Sequence, residues 1–138
     1  MTAETQPKSP FNFVQVLIAA AGTGFLNVIT YFIGSSAGAT MVLGENTGEH
    51  IGFAQVYGFT LLPILILGAV VFVIGRAKPA FCKVAQWLGL VVAVVSIILP
   101  IMAAGDIATA LTLSIIHLFV GLGLFFAVRY GNKSLHTN

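Results

Sequence analysis

The stretch IATALTLSIIHLFVGLGLFFAV, residues 107–128, contains no Asp, Glu, Lys or Arg and is bounded by Asp106 and Arg129. At about 1.5 Å per residue in a helix, roughly 20 apolar residues cover the hydrocarbon core of a bilayer, which is about 30 Å thick. A backbone in lipid must satisfy its own hydrogen bonds. The stretch therefore predicts a transmembrane helix.

Three further charge-free stretches precede this one, and each is long and apolar enough to span a bilayer. The four predicted spans lie near Phe13–Ile33, Gly52–Gly75, Val84–Ala103 and Ile107–Val128. The composition agrees, because 58% of the 138 residues are hydrophobic and only 7% are charged, unlike soluble domains. Because the runs lack the alternation of barrel strands, the sequence predicts an all-α membrane protein.

The connections between the predicted spans indicate how they are arranged. The second and third spans, and the third and fourth, are joined by short segments, which favours an antiparallel up-down-up-down four-helix bundle. We expect the transmembrane domain over residues 13–130, with polar tails at residues 1–12 and 131–138. The one long outer loop, residues 35–51, is glycine-bearing, which predicts a turn-rich cap in which Met41–Leu43 dips into the interface.

Orientation follows from the six basic residues, which all fall in the two tails and the second loop. These are Lys8, Arg76, Lys78, Lys83, Arg129 and Lys133. By the positive-inside rule, both termini are expected in the cytoplasm of a multi-pass protein of the cell membrane, here a bacterial plasma membrane. A cleaved signal peptide is the competing interpretation of the start, but the apolar sequence continues to Ile33, which is long for its apolar region.

Small and polar residues form one stripe on the first predicted helix and one on the fourth, at about 100° per residue. On the first helix the stripe comprises Ala20, Gly24, Asn27, Tyr31 and Gly34. On the fourth it comprises Asp106, Ala110, His117 and Gly121, with Ser114 at its edge. Small residues let helices approach closely in lipid. We therefore expect these two faces to meet.

Polar side chains concentrate in the outer half of the predicted bundle, and His117 lies about 15 Å below the outer surface, near the midplane. The candidates for a pocket or for polar contacts between helices are Asn27, Tyr31, Thr60, Ser114 and His117. This asymmetry predicts a pocket open to the outside rather than a pore. Pro63 and Pro100 also fall in this zone, where kinks would either widen the pocket or shape the packing.

An ionisable side chain at the depth of His117 marks a functional site by default. One hypothesis is a neutral imidazole that bonds Asn27 or Ser114 and locks two helices. The others are proton transfer, binding of a lipid or quinone head, and ligation of a metal or haem. Ligation ranks last because a bis-histidine haem needs a second histidine inside the membrane.

Asp106 follows Gly105 and opens the fourth helix, which predicts an N-cap that accepts a hydrogen bond from the N–H of Thr109. Glu45, Glu49 and His50 could form an outer metal site. This candidate is weak, because acidic and histidine side chains in a flexible loop are usually only solvated. The single cysteine, Cys82, excludes an intramolecular disulfide and a cysteine cluster. We expect no metal and no cofactor.

The sequence contains no nucleophile-base-acid set, phosphate-binding loop or HExxH motif, so an enzyme is not expected. It also has no patch of basic residues beyond the membrane flanks, so we do not expect it to bind nucleic acid. The first hypothesis is a non-catalytic accessory or interaction subunit, or a homo-oligomer, whose partners are membrane lipids and other subunits or copies. The alternative is a protein that binds or transports a lipid, a quinone or a similar amphipathic molecule.

Between about Val14 and Tyr130 the chain resembles a family of small four-helix membrane proteins of unknown function that is common in actinobacteria. The resemblance rests on FLNVITYFIG at residues 25–34, LLP at 61–63, LP at 99–100, and Asp106 followed by IIHLFVGLGL at 115–124. The positions that carry it are Asn27, Pro63, Pro100, Asp106, His117 and Gly121. It implies a fold and a membrane location, without an activity.

Overall fold

The computed structural model describes residues 11–44 and 48–133. Its helices are α1 Phe13–Ser36, α2 Phe53–Ala77, α3 Pro79–Ser96, α4 Ile98–Ala103 and α5 Ile107–Lys133. Its strands are β1 Val42–Leu43 and β2 Glu49–His50. The helix α1, the helix α2, the third span formed by α3 and α4, and the helix α5 are each long and apolar enough to cross a membrane. The predicted four-helix fold is therefore confirmed.

The helices α1 and α2 run antiparallel and approach closely through glycines. The side chain of Val16, near the start of α1, packs on Gly68 in the second half of α2. Gly24, further along α1, packs on the ring of Tyr57 near the start of α2, where an added Cβ would lie 2.7 Å from the ring. Close approach without side-chain interference is the usual role of glycine between membrane helices.

The helix α5 lies between α1 and α3 and packs extensively on both. On the α1 side, Gly34 lies against Thr112, and Thr23 lies against Gly123. The sequence order of these contacts makes α1 and α5 antiparallel. By contrast, α2 packs mainly on α1 and has fewer contacts with α3 and α5.

The third span runs from Pro79 to Ala103, and its regular hydrogen bonding is interrupted at Ile97, which keeps helical dihedral angles. It begins at Pro79, ends its first part at Ser96, and resumes at Ile98. Pro100 has no N–H to donate to the carbonyl of Ser96, so the regular pattern of helical hydrogen bonds fails at this point. Pro63 interrupts α2 less, since that helix continues through it.

The outer loop forms a short antiparallel hairpin, in which Val42 pairs with His50 and Leu43 with Glu49. The hairpin is bonded to the end of the third span through the Gly44 N–H, which donates to the carbonyl of Ala103 at 2.7 Å. Its neighbour Met41 is fully buried. We call this end of the bundle the hairpin end.

The opposite end of the bundle carries Arg76, Lys78, Lys83 and Arg129, and we call it the basic end. Here the packed structure includes residues that the sequence assigned to the two tails. Phe11 is buried against Gly131 and Phe72, and the N–H of Asn12 donates to the carbonyl of Gly131 at 3.2 Å. The side chain of Asn12 caps α1 by accepting from the N–H of Val14. These contacts fasten the start of α1 to the end of α5.

Candidate binding cavity

A cavity of about 450 Å³ lies between α2, the third span and α5. Its polar side chains are those of Thr60, Ser96 and His117, and the described residues that line it include no Asp, Glu, Lys or Arg. Binding sites for small molecules are typically about 300–1,000 Å³ and mostly apolar, with a few placed polar groups. Both the volume and the lining of this cavity fit that description.

The cavity exists because α2 and α3 meet closely near their connecting turn and not along their length. At the turn, Gly75 packs on the buried thiol of Cys82. Further along, α3 turns its small residues toward α5, where an added Cβ on Gly121 would lie 2.5 Å from the Cβ of Ala93. The space left between α2 and this α3–α5 pair is the cavity.

The hairpin region lines one end of the cavity, and exposed apolar side chains border its flank. Leu43 and Ile51, from the hairpin region, line the cavity together with the end of α4. Along the gap between α2 and the third span the lining side chains are exposed, by 65% for Phe59, 57% for Val92 and 61% for Leu99. These exposed side chains indicate an opening on the flank of the bundle, between α2 and the third span, whereas the sequence predicted an opening toward the outside.

His117 contacts the third span through a hydrogen bond between its Nδ1 and the hydroxyl of Ser96, at 2.9 Å. The hydroxyl of Ser96 also lies 2.7 Å from the carbonyl of Ala93. The predicted partners of the imidazole, Asn27 and Ser114, are wrong: both make their hydrogen bonds elsewhere, and Ser96 on α3 bonds the imidazole instead. Counting residues along the predicted third span places Ser96 in its outer half, and this depth is the signal that could have paired it with His117.

A second polar cluster lies beside the cavity and joins three helices. The Nδ2 of Asn27 donates to Oγ1 of Thr60 at 2.8 Å and to the carbonyl of Ile116 at 3.4 Å. Thr60 in turn donates to the carbonyl of Val56 at 2.8 Å. Asn27 is fully buried but does not line the cavity, whereas Thr60 belongs to both the cluster and the lining.

The two remaining candidates for the pocket do not line the cavity. Tyr31 is buried near the hairpin end in an apolar cluster with Met41 and Leu113. The hydroxyl of Ser114 donates a hydrogen bond to the carbonyl of Ala110 in its own helix, at 2.7 Å. This is a common hydrogen bond of serine within a helix. The predicted pocket residues thus divide between a cavity, a buried cluster and local contacts.

The expectation that the small faces of the first and last helices meet is wrong for α5. The predicted face of α1 is indeed buried, but α5 meets it with a different face, on which Thr112 and Gly123 lie. The face of α5 that carries His117 and Gly121 packs on α3 instead. The helix has small residues on both sides, so its sequence periodicity alone could not assign the neighbours.

Asp106 makes the contacts of a helix N-cap and also fastens the hairpin region. Its Oδ1 accepts from the N–H of Thr109 at 2.7 Å, and its Oδ2 accepts from the hydroxyls of Thr109 at 2.6 Å and Thr40 at 2.5 Å. These bonds, first that from the Thr109 hydroxyl and then that from Thr40, hold the pKa of the carboxyl well below its usual value. Thr109 accepts from the N–H of Met41 in addition.

Among residues 11–44 and 48–133, no three His, Cys, Asp or Glu side chains are grouped so that they could hold a metal ion. The weak candidate at the outer loop included Glu45, which lies outside the described residues. Glu49 and His50, its other members, are exposed on β2.

A family model described as a family of unknown function, DUF6069, matches residues 7–134. The chain belongs to the DUF6069 family. No curated protein and no solved structure matches it. Membership in DUF6069 confirms the resemblance noted from the sequence and brings no activity with it.

Most of the positions on which the resemblance to this DUF6069 family rested lie at the contacts described above. Pro63, Pro100, His117 and Gly121 line the cavity. The other two, Asn27 and Asp106, make the buried cluster and the cap of α5.

Proposed function

We propose that this membrane protein binds a small amphipathic molecule, such as a lipid or a quinone, in the cavity between α2, the third span and α5. The observation that carries the proposal is an apolar cavity of about 450 Å³ whose lining includes a histidine. Burial of apolar surface would supply the affinity, and the polar groups of Ser96 and His117 would orient the bound molecule. The role is non-catalytic.

The exposed border of the cavity supports a ligand that comes from the bilayer. Phe59 on α2 and Val92 on α3 flank the gap between these helices. A molecule dissolved in lipid would enter through this gap without crossing water. The described lining residues include no Asp, Glu, Lys or Arg, so the cavity favours an uncharged part of the ligand, because an unpaired charge in such a site would be strongly disfavoured.

The charge distribution supports an orientation with both termini in the cytoplasm of a cell membrane. Arg76, Lys78, Lys83 and Arg129 are exposed at the basic end, and Glu49 is exposed at the hairpin end. Basic residues beside spans favour the cytoplasmic side. In this orientation the cavity lies nearer the outer leaflet, beneath the hairpin.

The binding proposal is tested by filling the cavity. Val120 lines it, whereas Leu118 does not and is partly exposed on another face of α5. We expect the wild-type protein, purified in mild detergent, to retain a bound amphipathic molecule in native mass spectrometry. Val120→Phe should lose it and the matched control Leu118→Phe should keep it.

The binding proposal fails if the wild type carries no molecule other than loosely attached bulk lipid, or if Val120→Phe retains as much as the control. Melting curves of both variants show whether a loss of ligand accompanies a loss of fold. A folded Val120→Phe variant without ligand is the expected result.

A second candidate is the accessory subunit or homo-oligomer, and the exposure of the third span favours it. Only 11% of the most apolar window of this span is buried, against 44% for α5. The flank of the third span would then be the contact surface for another subunit or a second copy. Crosslinking in membranes followed by purification tests this candidate, and a lone monomer without a partner would refute it.

A further inference from the structure

The hydrogens of the polar side chains in the cavity are all committed to acceptors within the protein. A serine hydroxyl has one hydrogen, and a carbonyl oxygen can only accept. The hydroxyl of Ser96 therefore donates to the carbonyl of Ala93, 2.7 Å away. By the same reasoning, the hydroxyl of Thr60 donates to the carbonyl of Val56 and accepts from Asn27.

The commitment of Ser96 determines the tautomer of His117. Because the hydroxyl hydrogen of Ser96 is used at Ala93, its oxygen must accept from Nδ1 of His117, which therefore carries a hydrogen. Among the described residues that line the cavity there is no Asp or Glu to stabilise an imidazolium, which favours a neutral ring. In a neutral ring with hydrogen on Nδ1, Nε2 carries a lone pair and acts as an acceptor.

The Nε2 of His117 has no hydrogen-bond partner among the described residues and is not fully buried. In the part of the chain that the structure describes, the buried side-chain atoms without a partner are the oxygens of Asn27 and Asn132. The Nε2 atom is not among them, although the hydrogen bond of this histidine to Ser96 engages only Nδ1. It therefore retains accessible surface, on a side chain that lines the cavity.

The two prolines in the lining strengthen this bias toward acceptors. Pro63 and Pro100 both line the cavity and neither has an N–H. Each therefore leaves the carbonyl four residues earlier, on Phe59 and Ser96, without its usual helical donor. The polar side chains of the lining can therefore accept a hydrogen bond from a ligand, whereas their own hydrogens are already used within the protein.

We infer that the cavity selects an uncharged lipid alcohol, whose hydroxyl donates a hydrogen bond to Nε2 of His117. This inference rests on the proposed binding function and specifies the ligand class. A head with acceptors alone, such as the carbonyls of a quinone, would face the lone pair of Nε2 without a hydrogen between them. A ligand without a donor would bury Nε2 of His117 without a hydrogen-bond partner, and sites of this kind bind such a ligand much more weakly.

The test compares molecules that differ in the donor alone. Binding of 1-hexadecanol, its methyl ether and decyl-benzoquinone to the full chain in detergent is measured by competition and native mass spectrometry. We expect the wild type to bind the alcohol about tenfold more tightly than the ether, as one buried hydrogen bond would give. The quinone should bind no better than the ether.

Three variants connect this preference to His117. His117→Phe keeps a ring of similar shape without the acceptor, and Ser96→Ala releases the ring from the tautomer that Ser96 imposes. Both should reduce the ratio of alcohol to ether affinities toward one. The matched control Ser114→Ala removes a hydroxyl that bonds within α5 and does not line the cavity, so its ratio should equal that of the wild type.

The outcomes separate this inference from the binding proposal. Equal affinity of the wild type for alcohol and ether, with both abolished by Val120→Phe, overturns the inference and leaves the binding function standing. Tighter binding of the quinone than of the alcohol also overturns it. If none of the three probes binds although the purified wild type retains a molecule that Val120→Phe loses, the inference fails and the binding function stands. If no molecule is retained either, both fail.

Discussion

The Nδ2 atom of Asn27 lies 2.8 Å from Oγ1 of Thr60, and both side chains are almost completely buried. This hydrogen bond joins α1 to α2 at the same level at which Asn27 reaches the backbone of α5. In lipid, such bonds contribute modestly, because the alternative states also find polar partners. The bond therefore specifies the register of the helices more than it stabilises them.

The Asn27–Thr60 pair can be measured by a double-mutant cycle. We expect Thr60→Val to lower the free energy of unfolding by about 0.5–1.5 kcal/mol, because it removes the better of the two acceptors of Asn27. The coupling energy with Asn27→Ala should be about 0.6 kcal/mol. Unfolding in mixed detergent micelles gives the values, and additive effects of the two substitutions would contradict a direct bond.

Gly34 should be intolerant of any side chain. An added Cβ would overlap the side chain of Thr112 on α5, so Gly34→Ala must push these helices apart or move the threonine. We expect a lower melting temperature than that of the wild type. Gly22→Ala is the matched control on the same helix, since nothing lies within 4 Å of an added Cβ there, and it should be neutral or slightly stabilising.

The cap formed by Asp106 should make stability depend on acid pH. The pKa of its carboxyl is lower in the folded protein than its usual value of 3.8, chiefly because of the bonds from Thr109 and Thr40. The ionised carboxylate therefore makes its full contribution to the stability of the fold above pH 3.8, and this contribution is lost as the pH falls toward the pKa of the folded state. We expect the melting temperature of the wild type to fall below about pH 4.

Two substitutions isolate the contribution of Asp106 from those of other acids. Asp106→Asn keeps an oxygen for the N–H of Thr109 but has no charge to titrate, so it should be moderately less stable at neutral pH. Asp106→Ala should be less stable still. A difference between wild type and Asp106→Asn that does not shrink on acidification would contradict this assignment.

The orientation of the bundle is testable with single cysteines in a Cys82→Ala background. Glu49 is exposed at the hairpin end and Lys78 at the basic end. On intact cells, a membrane-impermeant maleimide should label Glu49→Cys, and it should label Lys78→Cys only after permeabilisation. The reverse pattern would place the basic end outside.

Some features of the cavity were visible in the sequence and others were not. The depth of His117 and the positions of Pro63 and Pro100 followed from counting residues along apolar runs. The partner of His117 did not, because Ser96 reaches it from a helix whose rotation depends on the packing of Gly121 on Ala93. The break after Ser96 has a local cause in Pro100, but the sequence did not show whether the helix would kink or stop.

The four apolar runs determined by themselves the number of spans and the helical structure, because the cost of unpaired backbone groups in lipid acts on each run separately. The periodicity of α1 likewise determined which of its faces is small and polar. Only the tertiary structure decided which helices meet. Small faces fit any neighbour at the same depth, so the packing of all four helices together places α5 between α1 and α3 and leaves a cavity beside His117.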